Sequence, residues 1–145
     1  MGAMSFHVPG RHPCGTGQVD HQCPRRLHER MAVQRVVPVL TVANLQRSVH
    51  EHTMVLGLKV VMNHGWIVTL TGPDGRQLSL ITRDATAPVN PDVSVFVDDV
   101  TAALEAATAA GLEIVHPLTA EDWGVTRFFY RDASGNVVNV GMHSV

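Results

Sequence analysis

The sequence predicts an α+β fold built from two copies of one βαβββ unit. Three observations carry that expectation. The chain has 145 residues, enough for one domain with a real core and too few for two ordinary ones. From Arg35 onward, alternating and helical periods follow each other in the order strand, helix, three strands, and then do so again. The anchors of the two runs also correspond: Val42-Ala43-Asn44-Leu45 answers to Val97-Asp98-Asp99-Val100, and Leu56-Gly57-Leu58 to Ala110-Gly111-Leu112. The two offsets differ by a single residue, so register is kept through each helix.

In the first unit Arg35–Val42 alternates like a strand. Leu45–Leu56 reads as a helix with Leu45, Val49, His52 and Leu56 on one face, which makes His52 a core histidine. Lys59–His64 and Trp66–Thr71 are rich in β-formers, and Pro73-Asp74-Gly75 is a turn into Gln77–Thr82. Arg83–Pro91 reads as a linker. In the second unit Asp92–Val97 is a strand, Val100–Ala110 a helix capped by Asp98 or Asp99, and Glu113–Pro117 and Thr126–Arg131 are strands. Asp132-Ala133-Ser134-Gly135 turns into Val137–Met142. The units span 33–83 and 92–145 of a single domain, 31–145.

Alternation assigns faces. One set is almost wholly apolar and should pack under the helices: Val36, Pro38, Leu40 and Val42, then Leu78 and Leu80, with Val93, Val95, Val97, Val138, Val140 and Met142 in the second unit. The opposite set is mixed, with Val37, Ser79, Asp92, Ser94, Phe96 and Asn139 among its members. Periodicity alone favours a solvated outer face for this set; a polar-speckled concave pocket is the alternative.

The first 30 residues hold both cysteines and show no helical or strand period, so they read as a leader or extension outside the fold. His12-Pro13-Cys14 and His21-Gln22-Cys23 offer four zinc donors on paper, but at the spacing of no common zinc module. Arg11, Arg25, Arg26 and Arg30 outweigh Asp20 and Glu29 there, so the domain is more acidic than the whole chain, whose net charge is −2. That balance does not suggest a nucleic-acid binder, and no apolar stretch is long enough for a membrane helix. The opening residues lack a signal-peptide core, and the expected location is cytoplasmic. Arginine far outnumbers lysine, with much Ala, Val and Gly, as in GC-rich bacterial genomes.

Trp123-Gly124-Val125-Thr126-Arg127-Phe128-Phe129-Tyr130-Arg131-Asp132-Ala133-Ser134-Gly135-Asn136 is similar to the W-G-x-R-x-F-x-x-D-P-x-G-N ending of the vicinal-oxygen-chelate superfamily, the glyoxalase, bleomycin-resistance and dioxygenase proteins. Val42-Ala43-Asn44-Leu45-Gln46-Arg47-Ser48 with Leu56-Gly57-Leu58 resembles that family's opening V-x-D-L-x-x-S followed by F-Y-x-x-x-L-G-F. The aromatic pair of that opening is Glu51-His52 here, and the proline of the last turn is Ala133. The resemblance implies two modules forming a half-open eight-stranded barrel around a cavity, usually within a homodimer. It also implies four metal-ligand places, which fall on Val37, Ser79, Asp92 and Asn139. A hard ion needs several carboxylate or imidazole donors, and this set supplies one carboxylate. We therefore expect a member without metal or other cofactor.

Metal-free relatives of this family sequester antibiotics in an aromatic-walled groove, and Pro38-Val39-Leu40-Thr41-Val42 resembles their opening. The resemblance implies binding of a small organic molecule rather than chemistry on it. Trp66, Phe96, Trp123 and Tyr130 are the candidate groove aromatics, with Asp92 as a buried counter-charge, favouring a planar, cationic ligand. Ordinary packing remains an equal reading of each tryptophan, while Arg127 and Arg131 read as a solvated strand edge. The alternative function is a metal-dependent lyase, isomerase or ring-cleaving enzyme with atypical ligands, or acid–base work by Asp92 near His64 or His116.

Overall fold

The computed structural model describes residues 31–144. The expected leader 1–30, with its two His-x-Cys pairs, lies outside the described residues. Within them the chain forms β1 (Val33–Thr41), α1 (Leu45–Leu56), β2 (Lys59–Asn63), β3 (Ile67–Thr71) and β4 (Gln77–Ile81). The second unit follows as β5 (Val93–Val97), α2 (Val100–Ala109), β6 (Glu113–Ala120), β7 (Val125–Arg131) and β8 (Val137–His143). The expected elements are all present, and β6 runs three residues beyond its expected end at Pro117.

Local chemistry sets the helix boundaries. Asn44 caps α1 with its Oδ1, 3.0 Å from the amide of Arg47, and Gly57 ends it at φ 66°, where a residue without Cβ sits without strain. Of the two expected caps of α2, Asp99 does the capping, its Oδ1 accepting from the Ala102 amide at 2.9 Å. Asp98 instead accepts from the Ala32 amide at 2.7 Å, tying down the start of β1.

All eight strands share one mixed sheet in the order β2-β3-β4-β1-β5-β8-β7-β6. Each unit is a four-stranded block in which the first and last strands pair in parallel, β1 with β4 and β5 with β8. The blocks join where β1 runs antiparallel to β5, with Val37 opposite Ser94. Among the described residues β2 and β6 are the edge strands and do not pair with each other, so the sheet curls without closing. The α+β architecture is thus a half-open barrel with one helix on the outside of each half.

Two apolar cores lie between helix and sheet. Val68, Leu70 and Leu80 pack with Leu45 and Val49 of α1; Val97, Val100, Ala103, Ala107, Phe128 and Val140 form the larger core under α2. The helix-facing assignment therefore holds for β4, β5 and β8. It fails on β1, where Val36 is 55% exposed and Pro38 and Leu40 are also exposed. The cause is geometric: α1 rests on β3 and β4, α2 on β6, β7 and β8, and the central strand runs uncovered between them. His52, expected in the core, is only half-buried.

The opposite face also departs from the periodicity-based expectation. Val37, Val39, Ser79, Ser94, Val137 and Asn139 are buried rather than solvated, because curvature brings the strands of both units to face one another. Among the described residues no helix is long and apolar enough to cross a membrane.

Candidate functional site

The concave face encloses a cavity of about 220 Å³. Its floor is set by strand register. Thr69, Ser79 and Val39 face the same way on β3, β4 and β1, and Val37, Ser94 and Asn139 continue the line across β1, β5 and β8. Period-2 geometry therefore places short polar side chains from both units side by side. Thr69 Oγ1 and Ser79 Oγ share a hydrogen bond of 2.8 Å, and Asn139 Nδ2 donates to Ser94 Oγ at 3.0 Å. Asn139 Oδ1 is buried without a partner. Such an orphaned acceptor costs free energy until a donor reaches it.

Two tryptophans close one side. Trp66 precedes β3 and Trp123 precedes β7, so the two units contribute them from corresponding turns. Their ring centroids lie 5.7 Å apart at an interplanar angle of 67°. That edge-to-face contact joins the tips of the two half-barrels, and the rings make a single wall rather than two parallel plates.

Behind Trp123 lies a buried charge cluster. Arg127, 4% exposed, reaches Asp84 Oδ2 through Nη2 at 2.7 Å and Glu121 Oε1 through Nε at 2.9 Å. Its Nη2 also donates to Thr86 Oγ1 at 2.9 Å. The guanidinium carbon sits 5.0 Å from the Trp123 ring centre and 4.9 Å from that of Phe129, and His116 Nε2 lies 3.0 Å from the same Glu121 oxygen. Burial pushes the Asp84 carboxyl up, but the hydrogen bonds from Thr86 and Arg127 and the Arg127 charge outweigh it, and the group is held below its ordinary value. Asp84 belongs to the segment between the units, and Asn90 Oδ1 accepts from its amide at 2.8 Å. The expected linker is therefore a built part of the cavity wall.

A second cationic group faces the cavity from β1. The Arg35 guanidinium lies 4.1 Å from the centre of the Phe96 ring, and Phe96 stacks on the imidazole of His143 at 4.9 Å and 4°. Arg35 Nη2 is 2.9 Å from His143 Nε2; since arginine only donates, that nitrogen is the acceptor and the imidazole is neutral. Burial, and then the Arg35 charge, lower the His143 pKa, which keeps it in that state. Gly141 makes room for this stack, because a Cβ there would meet Val125 Cγ1 at 3.3 Å and Phe96 Cε1 at 3.5 Å.

Of the residues singled out from sequence, Val37, Trp66, Ser79, Phe96, Trp123 and Asn139 come together around the cavity. Asp92 does not line it: the residue is exposed at the mouth of β5, and its Oδ2 accepts from the Val137 amide at 2.8 Å. Tyr130 lies on the other side of the sheet, packed against the core under α2. Arg35, Asp84 and Arg127 line the cavity and were missed. For Arg127 the solvated-edge reading is overturned by its burial. A signal was present, since Arg127 alternates in phase with Val125 and Phe129, as Arg35 does with Val37 and Val39.

The residues at the family's four ligand places do not fit a divalent ion. Val37 has no donor atom, Ser79 offers a neutral hydroxyl already engaged with Thr69, Asn139 offers a single neutral amide oxygen, and Asp92 points elsewhere. Among the described residues, no three His, Cys, Asp or Glu side chains cluster as a metal site. His116 hydrogen-bonds Glu121, while the Asp92 carboxylate accepts from the Val137 amide.

Comparison with known proteins agrees with the fold. Residues 33–140 match the model of the Glyoxalase/Bleomycin resistance protein/Dioxygenase superfamily. Among solved structures, a Legionella pneumophila protein described as an NAD-dependent benzaldehyde dehydrogenase matches with a TM-score of 0.64 at 15% identity, over 76% of this chain and 100% of that one. A member of the same superfamily from Vibrio splendidus 12B01 matches at 0.57 and 19% identity, over 77% and 99%. A hypothetical protein from Bacillus halodurans C-125 matches at 0.58 and 10%, over 79% and 96%. At these identities the likeness is one of fold. A search of the curated proteins finds no match. With its paired βαβββ units, its half-open sheet and the family match over most of its length, the chain belongs to the Glyoxalase/Bleomycin resistance protein/Dioxygenase superfamily.

Proposed function

We propose that this protein binds a small planar organic molecule in the concave cavity without transforming it, in the manner of the family's sequestering members. The observation that carries the reading is the cavity wall itself. Aromatic surface from Trp66, Trp123 and Phe96 surrounds a floor of short polar groups that includes one orphaned acceptor, Asn139 Oδ1. Mostly apolar walls with a few placed polar atoms are what orient a bound ligand. The ligand places of the catalytic members carry no donor set for an ion here.

The volume narrows the ligand. About 220 Å³ is somewhat more than the roughly 150 Å³ cavity that accepts benzene and below the roughly 300 Å³ at which drug-sized pockets begin. One ring or two fused rings fit, and a large glycopeptide does not. The cationic ligand expected from Asp92 has no support in the cavity lining.

A homodimer and the cytoplasmic location expected from the sequence go with this reading. The dimer draws support from apolar surface at the end of α1 and on the free edge β2, where Val55 is 80% and Val61 54% exposed. Val61 also borders the cavity, so a two-fold partner seated there covers the mouth. A thermal-shift screen with one- and two-ring aromatic compounds, followed by analysis of the recovered ligand, tests the proposal. Stabilisation with the compound returned unchanged supports it. No stabilisation by any of them, or a chemically altered compound, contradicts it.

A further inference from the structure

We infer that the ligand of this cavity is an aromatic anion of carboxylate type, its charge held by Arg35 and its ring lying along Phe96 and the tryptophan wall. The inference rests on the binding function proposed above and adds the ligand's charge and the residue that reads it.

The cavity lining holds two arginines, and their surroundings differ. Arg127 is neutralised from two sides by Asp84 and Glu121. Arg35 has no carboxylate within ion-pair distance among the described residues. Of its five N–H donors, one is directed at the neutral imidazole of His143, and its Nε is buried with no acceptor at all. The face of the guanidinium rests on Phe96, which leaves its donor edge to meet a ligand. A partly buried guanidinium with unfilled donors gains most from a planar oxyanion, whose two oxygens match its fork. Stacking on Phe96 fixes the fork in advance, so little rotamer freedom is lost when the anion arrives.

Among the described residues, the charges facing the cavity leave this as its one group without an ion-pair partner. Asp84 is occupied by Arg127 and Thr86, and Asp92 is turned to the Val137 amide outside. His143 accepts from Arg35 and is neutral. His64, at the rim, adds no negative charge. A cationic ligand would meet Arg35 with no free carboxylate in the lining to offset the repulsion.

Register gives the ligand's length. Arg35 lies opposite Phe96 on β5, while Asn139 lies opposite Ser94 on β8, two strands away from β1. Between Cα positions that is two strand spacings of about 4.8 Å across and two residues of about 3.3 Å each along, roughly 12 Å in all. A benzene ring with a carboxylate at one end and a hydroxyl or amino group at the other spans it with a hydrogen bond at each end. The donor at the far end then fills Asn139 Oδ1, a neutral buried acceptor that the protein leaves unpaired. A ring acid carrying a para donor satisfies both orphaned groups at once.

The test is a calorimetric titration of the full chain with three isosteric probes: 4-hydroxybenzoate, the neutral 4-hydroxybenzamide and the cationic 4-hydroxybenzamidine. The acid is expected to bind at least tenfold more tightly than the amide, and the amidine more weakly than either. Arg35→Gln should lower affinity for the acid at least tenfold and change that for the amide less than about twofold. Arg35→Lys should recover part of the loss, because it restores the charge without the planar fork. An unchanged melting temperature shows that each variant is folded. Should Arg35→Gln unfold the protein, the order of the three probes on the wild-type chain decides. Binding of amide or amidine as tight as that of the acid overturns the inference while leaving the binding function standing. Failure of all three, together with every neutral aromatic in the thermal-shift screen, overturns the binding function itself.

Discussion

Arg127 on β7 places its Nη2 2.7 Å from Asp84 Oδ2, joining a strand of the second unit to the segment between the units. Both side chains are almost fully buried, so the pair is a structural clasp at the end of the cavity. Removing Arg127 leaves the Asp84 charge buried and uncompensated, whereas removing Asp84 leaves Arg127 still paired with Glu121. Arg127→Met should cost about 3–5 kcal/mol of stability and Asp84→Ala less, both read from urea unfolding. The double variant should cost less than the sum of the two, since neither charge is then left alone. Full additivity would show that the contact carries no energy.

The same pair sets an acid limit. Asp84 is held below the ordinary carboxylate value, burial being more than offset by Thr86 and Arg127. Its folded-state pKa is thus lower than in the unfolded chain. The carboxylate contributes its full stability above about pH 4, the unfolded value, and loses it as pH falls through the depressed folded value. Unfolding free energy measured from pH 7 to pH 2.5 should drop in that window. The Asp84→Asn variant should start less stable and fall less steeply. A variant profile parallel to the wild type would assign the acid limit to other groups.

His143 offers a site-specific reading of the Arg35 stack. Its imidazole should titrate below an ordinary histidine, first because it is buried and second because Arg35 points at it. In Arg35→Gln its NMR titration should move upward, though not the whole way, since burial remains. An unmoved titration would mean that the arginine is not seated against the ring.

The ligand places of the family make a prediction about metal. With Val37, Ser79 and Asn139 on the cavity floor, zinc, nickel or manganese should leave the melting temperature of the Cys14→Ser/Cys23→Ser chain unchanged. Those substitutions remove the thiols of the His-x-Cys pairs, which would otherwise confuse the result. A stabilisation that chelation reverses would require a site that the four ligand places do not provide.

Most of the architecture was legible because two periodicities and two sets of anchors repeat in step. The strand faces gave the polar floor directly: Val37, Ser79 and Asn139 follow from counting by twos. Curvature was not legible. It decides whether a mixed face is solvated or enclosed, and it turned Arg127 from an expected surface residue into a buried clasp. Coverage by helices was not legible either, which is why Val36 and Leu40 were expected under a helix and stand in the open. Asp92 shows a further limit. Its alternation is right for the cavity, but it stands at the open end of its strand, where the Val137 amide captures the carboxylate. Trp66 and Trp123 lie far apart in sequence and meet only because the two half-barrels face each other.

The central claim is that the concave cavity is a binding site, and amide and indole NMR shifts test it most directly. Titration of labelled protein with one-ring aromatic acids should move the indole N–H signals of Trp66 and Trp123 and the signals of Phe96 and Asn139, saturating together. Signals from α1 and α2 should stay nearly still. Shifts confined to the outer faces, or none at all for any one- or two-ring aromatic compound, would contradict the account.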